Sequence, residues 1–327
     1  MNVRFAKVVT VVLFALYGSP VIAQSALGNW PNRPVKVVVP FPAGSATDSV
    51  SRIVAQKLSA RFGQQFVVEN RAGASGNIGS DMVAKATPDG YTMGLITAST
   101  HALAPSLGGA LPYDPIKDFK PVSMLVAAPY ALVLYAGIPA NNIGDLVALA
   151  KAKPGSLNYG SAGLASLAHL AGALFAVQMG IDITHVPYRS TAQSSIDIIT
   201  GRLDMQFATI SPTLANIRDG KLKALATTGA RRVSALPDVP TMMEAGIADY
   251  EVALWMAFAM PAATQDQIVA VLNEALLVIL KDPDTIIALQ TQGFEPEPGP
   301  SDAVTKRIIS ETERWKALIA KTGIKPQ

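Results

Sequence analysis

The sequence predicts an α/β protein of two domains, with mixed sheets flanked by helices, and three observations lead there. At 327 residues the chain exceeds what a single hydrophobic core usually fills. Its β-branched runs alternate with helical patterns. Its last third is helical with no obvious strand between the helices, so those helices must pack on a sheet built earlier in the chain. The chain is therefore expected to cross to a second domain and return.

Taken in order, a strand is expected at 35–39 before a helix at 49–62, and a strand at 66–69 before a helix at 77–86. Strands at 91–96 and 122–135, a helix at 143–152, a strand at 157–159, a helix at 164–178 and a strand at 204–208 continue the alternation. Ile268, Val271, Leu272, Ala275, Leu276 and Ile279 then mark one face of an amphipathic helix. Val304, Ile308, Trp315, Leu318 and Ile319 mark a terminal one, preceded by the break at Pro298, Gly299, Pro300 and Ser301.

The first 23 residues read as a secretory leader. Arg4 and Lys7 precede an apolar run over 8–16 that is too short for a membrane span, and Val21, Ile22 and Ala23 suit cleavage after Ala23. Removing the leader takes two of the 27 basic residues and none of the 24 acidic ones, which lowers the formal charge from +3 to +1. With no basic run interleaved with aromatics, nucleic acid is not an expected partner. The chain has no cysteine, which excludes disulfides, thiolate metal sites and cysteine nucleophiles. A periplasmic location follows, and no metal or other cofactor is expected.

The chemistry concentrates in two turns. Residues 40–48, PFPAGSATD, follow a strand and precede a helix capped by Thr47 or Asp48. Unpaired amides and the positive end of a helix dipole suit an anion there. Gly44 permits close approach, and Ser45 and Thr47 offer hydroxyls. Residues 157–170, LNYGSAGLASLAHL, repeat the arrangement around Ser161, Ala162 and Gly163. Neither turn contains Lys or Arg, so the expected contacts are amides and hydroxyls that bind an anion without reacting with it.

Weaker candidates surround them. Ser99 and His101 sit in a polar stretch after a strand, Arg189 in HVPYRS is a cation near a strand end, and Asp204 precedes a strand. His169 reads as a helix-face or core residue. No dinucleotide fingerprint, phosphate-binding P-loop, nucleophile elbow or helical pair of metal-ligating histidines occurs.

The motifs PFPAGSATD, VENRAGASGNIG (68–79), TPDGYT (87–92), LPYDPIKDFKPV (111–122), NYGSAG, HVPYRS and LPDVPTMMEAG (236–246) together resemble the periplasmic solute-binding proteins of tripartite tricarboxylate transporters, the Bug family. The resemblance covers nearly all the chain after the leader. It implies a two-domain, periplasmic-binding-protein-like (type II-like) clamshell: a discontinuous first domain of residues 24–124 plus 229–327, a second of 125–228, and hinge crossings near 123–130 and 226–231.

It further implies a receptor, not an enzyme, that works as a monomer and hands a small carboxylate ligand to membrane permease subunits. The ligand would be held by the turn with Phe41, Ala43, Gly44, Ser45, Thr47 and Asp48, and by the turn with Ser161, Ala162, Gly163 and Ser166, often through bridging waters. Ser99, His101, Arg189 and Asp204 complete the expected cleft. Three residues depart from the family pattern, because Ser45, Ala165 and Ser190 stand where glycine is usual. Two other readings remain open at this point: a receptor reporting to a sensor kinase, and an exported hydrolase or isomerase.

Overall fold

The computed structural model describes residues 29–188 and 191–324. The leader, its cleavage point, Arg189 and Ser190 lie outside the described residues.

The chain begins with β1 (Val35–Val39), α1 (Ala46–Phe62), β2 (Phe66–Asn70), α2 (Asn77–Ala84) and β3 (Thr92–Thr97). A wide helical turn, Ala98–Leu103, and the short α3 (Ala104–Ser106) lead into β4 (Phe119–Tyr135). Next come α4 (Ile143–Ala152), β5 (Asn158–Ser161), α5 (Leu167–Met179), β6 (Thr184–Pro187), α6 (Thr191–Ile199), β7 (Met205–Thr209), α7 (Ile210–Arg218) and β8 (Leu222–Thr227). The chain closes with β9 (Ala253–Pro261), α8 (Asp266–Ile279), α9 (Pro283–Thr291), β10 (Glu295–Pro296) and α10 (Ser301–Thr322). The two-residue β10 is a strand between the terminal helices, where none was expected.

The strands form one path, β2-β1-β3-β9-β4-β7-β5-β6, with β8 and β10 also on β4. Along this path β4 changes partners: Phe119 to Pro129 pair with β9, and Tyr130 to Leu134 pair with β7. One 17-residue strand therefore belongs to two half-sheets. Each half is covered on both faces. In the first, Val35, Val37 and Val39 of β1 pack with Val50, Val54 and Leu58 of α1 and Ile268, Leu272 and Leu276 of α8. Val38, pointing the other way as strand alternation requires, joins the cluster containing Ile308, Trp315 and Leu318 of α10. That second cluster also includes Leu170 and Phe175 of α5, so α10 rests on both halves.

Strand directions fix what faces what. β1, β2 and β3 are parallel, and β9 is antiparallel to both β3 and β4, so β4 runs the same way as β1, out of the first half. β7 is antiparallel to β4, and β5 and β6 are parallel to β7 and β5 respectively, so all three run back toward the first half. The carboxyl ends of β1 and β5 thus point at each other across the middle of β4. Register adds that Val38 lies level with Pro121 of β4 and Gly160 level with Val133, leaving the intervening part of β4 as the floor between them.

At the crossing, fully buried Thr228 ties three segments together. Its hydroxyl accepts from the Tyr130 amide at 2.8 Å and donates to the Val252 carbonyl, while its backbone bonds the same two residues. Thr228→Val keeps the shape but strands a buried amide and a buried carbonyl. The expected loss is about 2–4 kcal/mol in urea unfolding, since each orphaned buried group costs ~1–3 kcal/mol.

Candidate ligand-binding site

The turn after β1 is shaped by its own polar groups. Ser45, not Thr47 or Asp48, is the N-cap of α1: its hydroxyl accepts from the Asp48 amide at 3.3 Å and donates to the Pro42 carbonyl at 2.7 Å. Because that proton is spent, the Thr47 hydroxyl donates to Ser45 across 2.8 Å. Asp48 is buried, and its carboxylate accepts from the Gly44 amide (2.9 Å), the Arg52 guanidinium (3.0 Å) and Asn70 (3.0 Å), whose amide group also holds the Phe41 carbonyl. Burial pushes the Asp48 carboxyl up, but these hydrogen bonds outweigh it and hold the group below its usual range.

This arrangement corrects three expectations. Asp48 positions the turn and does not present its charge to a ligand. The Gly44 amide is consumed by that same carboxylate, although Gly44 itself adopts φ +78°, as only glycine does readily. The hydroxyls of Ser45 and Thr47 are turned into the turn as well. What it offers outward is the first-turn amides of Ala46 and Thr47, with Ala43 and Ala46 exposed and Phe41 half-buried beside them.

Two further helical turns end at the same edge. α2 approaches closely because Gly79 lies against Pro40, where a Cβ would come within 2.7 Å of backbone; a Cβ on Gly76 would sit 2.7 Å from Thr100 and 3.2 Å from Phe41. These glycines of the GASGNIG segment are site-shaping residues that sequence reasoning missed. Ser99 follows β3 at this edge and is half-buried. His101 is not in the cleft. It is fully buried, with its ring 5.6 Å from Tyr113 and 4.5 Å from Phe119, and Nδ1 2.9 Å from the Thr100 hydroxyl. The physical reason is that Thr97 and Thr100 bond each other's amides as a capping box, so a polar stretch can enter the core.

The opposing turn, after β5, is built around the Gly163 carbonyl, which accepts from the Ser161 hydroxyl (2.9 Å) and the Ser166 hydroxyl (2.8 Å). Ser166 caps α5 by accepting from the His169 amide at 3.2 Å. The Gly163 amide goes to Ser161 (3.2 Å) and the Ala165 amide to His169 Nδ1 (3.0 Å). Here too the hydroxyls expected to meet the ligand are tied inside, by bonds that do not engage the amides of Ala162 and Leu164. Ala165 holds φ +56°, which explains why glycine suits this position and which costs an alanine ~1–2 kcal/mol.

Under this turn lie two residues that sequence reasoning did not place in the site. The rings of His169 and His185 stack at 3.8 Å within 10° of parallel, and His185 Nε2 is 2.7 Å from the Ser161 hydroxyl. Burial lowers His169 to about 4; burial and then the neighbouring His169 lower His185 to about 4. Both are neutral at pH 7. The HVPY motif was the available signal for His185.

Asp204 lies at the wrong end of its strand. Its carboxylate accepts from the Asn158 amide at 2.8 Å and its own amide bonds the Asn158 side chain, which locks the starts of β5 and β7 on the side away from the crevice. A cavity of about 860 Å³ is not between the turns either. It lies behind the crossing, lined by Ala127, Pro129, Gly229, Arg231 and Glu295 among others. Among the described residues, no cluster of three metal-ligating side chains occurs, and no helix is long and apolar enough to cross a membrane.

Two half-sheets sharing a strand, with paired turns facing across it, define a two-domain periplasmic-binding-protein fold. Residues 50–324 match the family described as "Tripartite tricarboxylate transporter family receptor", and the chain belongs to that family. It is 33% identical over 327 residues to Protein BugT of Bordetella pertussis, covering 99% of both chains. Among solved structures, it is similar to R. palustris Rpa4515 with adipate (34% identity, TM-score 0.73, 91% of this chain and 100% of that one). It is also similar to a TctC solute binding protein from Polaromonas with no ligand (28% identity, TM-score 0.82, 89% and 99%). Proteins of this family are solute receptors and not enzymes.

Proposed function

We propose that this chain is a periplasmic receptor that closes over a small carboxylate and delivers it to the permease of a tripartite tricarboxylate transporter. The observation that carries the reading is the opposed strand direction: the turn after β1 and the turn after β5 face one another, and neither contains a cation. The amides of Ala46 and Thr47 on one jaw, and of Ala162 and Leu164 on the other, converge on an anion. Phe41, Ala43, Ser99 and Leu164 line the space around it. Serving as rigid scaffolding, Asp48, Ser45, Ser161, Gly163 and Ser166 hold those amides in place before the ligand arrives, which lowers the ordering cost of binding.

The domains are then residues 24–124 plus 229–327 and residues 125–228, swinging about the crossing at Tyr130, Thr228 and Val252. Adipate in the similar Rpa4515 structure supports a carboxylate ligand. Export follows from the leader over 1–23.

Ala46→Pro tests the site. Proline is well tolerated at the first position of a helix and Ser45 is already extended (φ −72°, ψ 163°), so the fold is retained while one ligand-facing amide disappears. Calorimetry with adipate and with other mono-, di- and tricarboxylates is expected to show affinity lower by about tenfold for the ligand that binds wild type, at an unchanged melting temperature. Unchanged affinity, or no carboxylate bound by wild type, would overturn the reading.

A further inference from the structure

We propose that His169 and His185 are positioning residues for the ligand-facing turn after β5, and that the turn keeps its receptive shape only while the His169 ring is neutral. The proposal rests on the proposed binding site for its consequence and on the geometry of the pair for its mechanism.

Each ring holds the turn by a different nitrogen. Ala165 donates its amide to His169 Nδ1, so that nitrogen carries no proton and the neutral ring is the Nε2–H tautomer. Ser161 has one hydroxyl proton, directed to the Gly163 carbonyl, and already accepts from the Gly163 amide. His185 Nε2–H therefore donates to Ser161, and this ring too is the Nε2–H tautomer. The two anchor points, Ser161 and Ala165, bracket Ala162, Gly163 and Leu164, the stretch that presents free amides to the cleft. Ala165 needs such an anchor, because its positive φ is unfavourable for alanine and the bond to His169 offsets that cost.

Protonation undoes the His169 anchor, whereas His185 keeps its Nε2–H donor to Ser161 in either charge state. A proton on His169 Nδ1 sets one donor against another, the Ala165 amide, and places a full charge 3.8 Å from the facing ring. Among the described residues, the groups facing the pair cannot neutralise that charge. They are Tyr159 of β5, 5.0 Å from His185 and 6.3 Å from His169, the Ser161 hydroxyl, and the Ala165 amide. Beyond Tyr159 stands Tyr250, whose hydroxyl donates to the Ala171 carbonyl on α5. The charge on the adjoining α10 that acts on Tyr250 is Arg314, which interacts with Glu311 at 4.0 Å.

The test needs no ligand at its first stage. In ¹⁵N-labelled full-length mature protein, both imidazoles are expected as Nε2–H tautomers that titrate below pH 5, with the Ala165 amide resonance moving and its exchange protection falling in step. His169→Asn, whose side-chain oxygen reproduces the Nδ1 acceptor, is expected to retain Ala165 protection; His169→Phe, which retains the ring, is expected to lose it. An Nδ1–H tautomer, titration near the ordinary pH of 6.5, or equal protection in both variants would overturn the proposal. At a second stage, adipate affinity at pH 7 is expected to fall about tenfold in His169→Phe and by less than about threefold in His169→Asn. Equal affinities would sever the turn's shape from binding. Absence of adipate binding to wild type would count against the carboxylate reading alone, with the resonances still deciding the histidine pair.

Discussion

Replacing Arg307 by methionine is expected to cost about 3–5 kcal/mol of folding free energy, read as a lower midpoint in urea unfolding. Arg307 projects from α10 with its side chain only 14% exposed, and it meets three carboxylates: Glu251 at 2.7 Å, Glu297 at 2.8 Å and Glu311 at 3.1 Å. Glu311 is itself buried and also accepts from Trp255 Nε1 on β9 at 2.9 Å. Methionine fills similar space but leaves these anions facing one another with only the more distant Arg314, 4.0 Å from Glu311, the costly way to break a buried pair. Burial works against the Arg307 charge, and the surrounding carboxylates outweigh it, so its pKa is raised. Adding Glu311→Gln to Arg307→Met is expected to recover part of the loss, because glutamine still accepts from Trp255 while removing one orphaned charge. A cost below about 1 kcal/mol would show that α10 is held by apolar packing alone.

The second large effect is a loss of stability on acidification between pH 6.5 and about 4. All three histidines are neutral, His101 and His169 buried and His185 half-buried, His101 with its pKa lowered by burial to about 3 and the stacked pair to about 4. Each folded value lies below the unfolded value of about 6.5. Their contribution is therefore complete above pH 6.5 and diminishes as the pH falls, because the unfolded chain gains protons that the folded chain refuses. Each group contributes about 1.4 kcal/mol per pH unit in this window, so the three together amount to several kcal/mol by pH 4.5. Urea unfolding at pH 7.0, 5.5 and 4.5 measures it, and His101→Phe is expected to reduce the slope by roughly a third. A flat profile over that range would contradict the burial of these rings.

Much of the architecture was legible in the chain. The strand-turn-helix units at 35–62 and 157–179 were legible as strand-like runs followed by small-residue turns and helical stretches, and the paired Gly- and Ser-rich turns do fall where helices begin. What the sequence hid was the destination of each polar group. Asp48 looked like a ligand contact or a cap, but its partners include Asn70, 22 residues away, which no local pattern reveals. His101 followed a run of hydroxyls that reads as an exposed loop until Thr97 and Thr100 are seen bonding one another. His169 and His185 lie on different elements and meet only when β5 and β6 pair side by side. The strand β9 escaped notice because an almost fully buried strand shows no alternation to distinguish it from other apolar stretches.

Because β4 passes unbroken through both halves, the ladder resists sliding of one half along the other, which would shift every register on that strand at once. It can twist, and its register irregularities at 121/123, 124/126 and 132/133 bracket the stretch where the partners change. The strand therefore acts as a torsion bar. On the proposed function, a guest's length would be converted into an angle between the jaws, and that angle is what a partner reading the outer surface would sense.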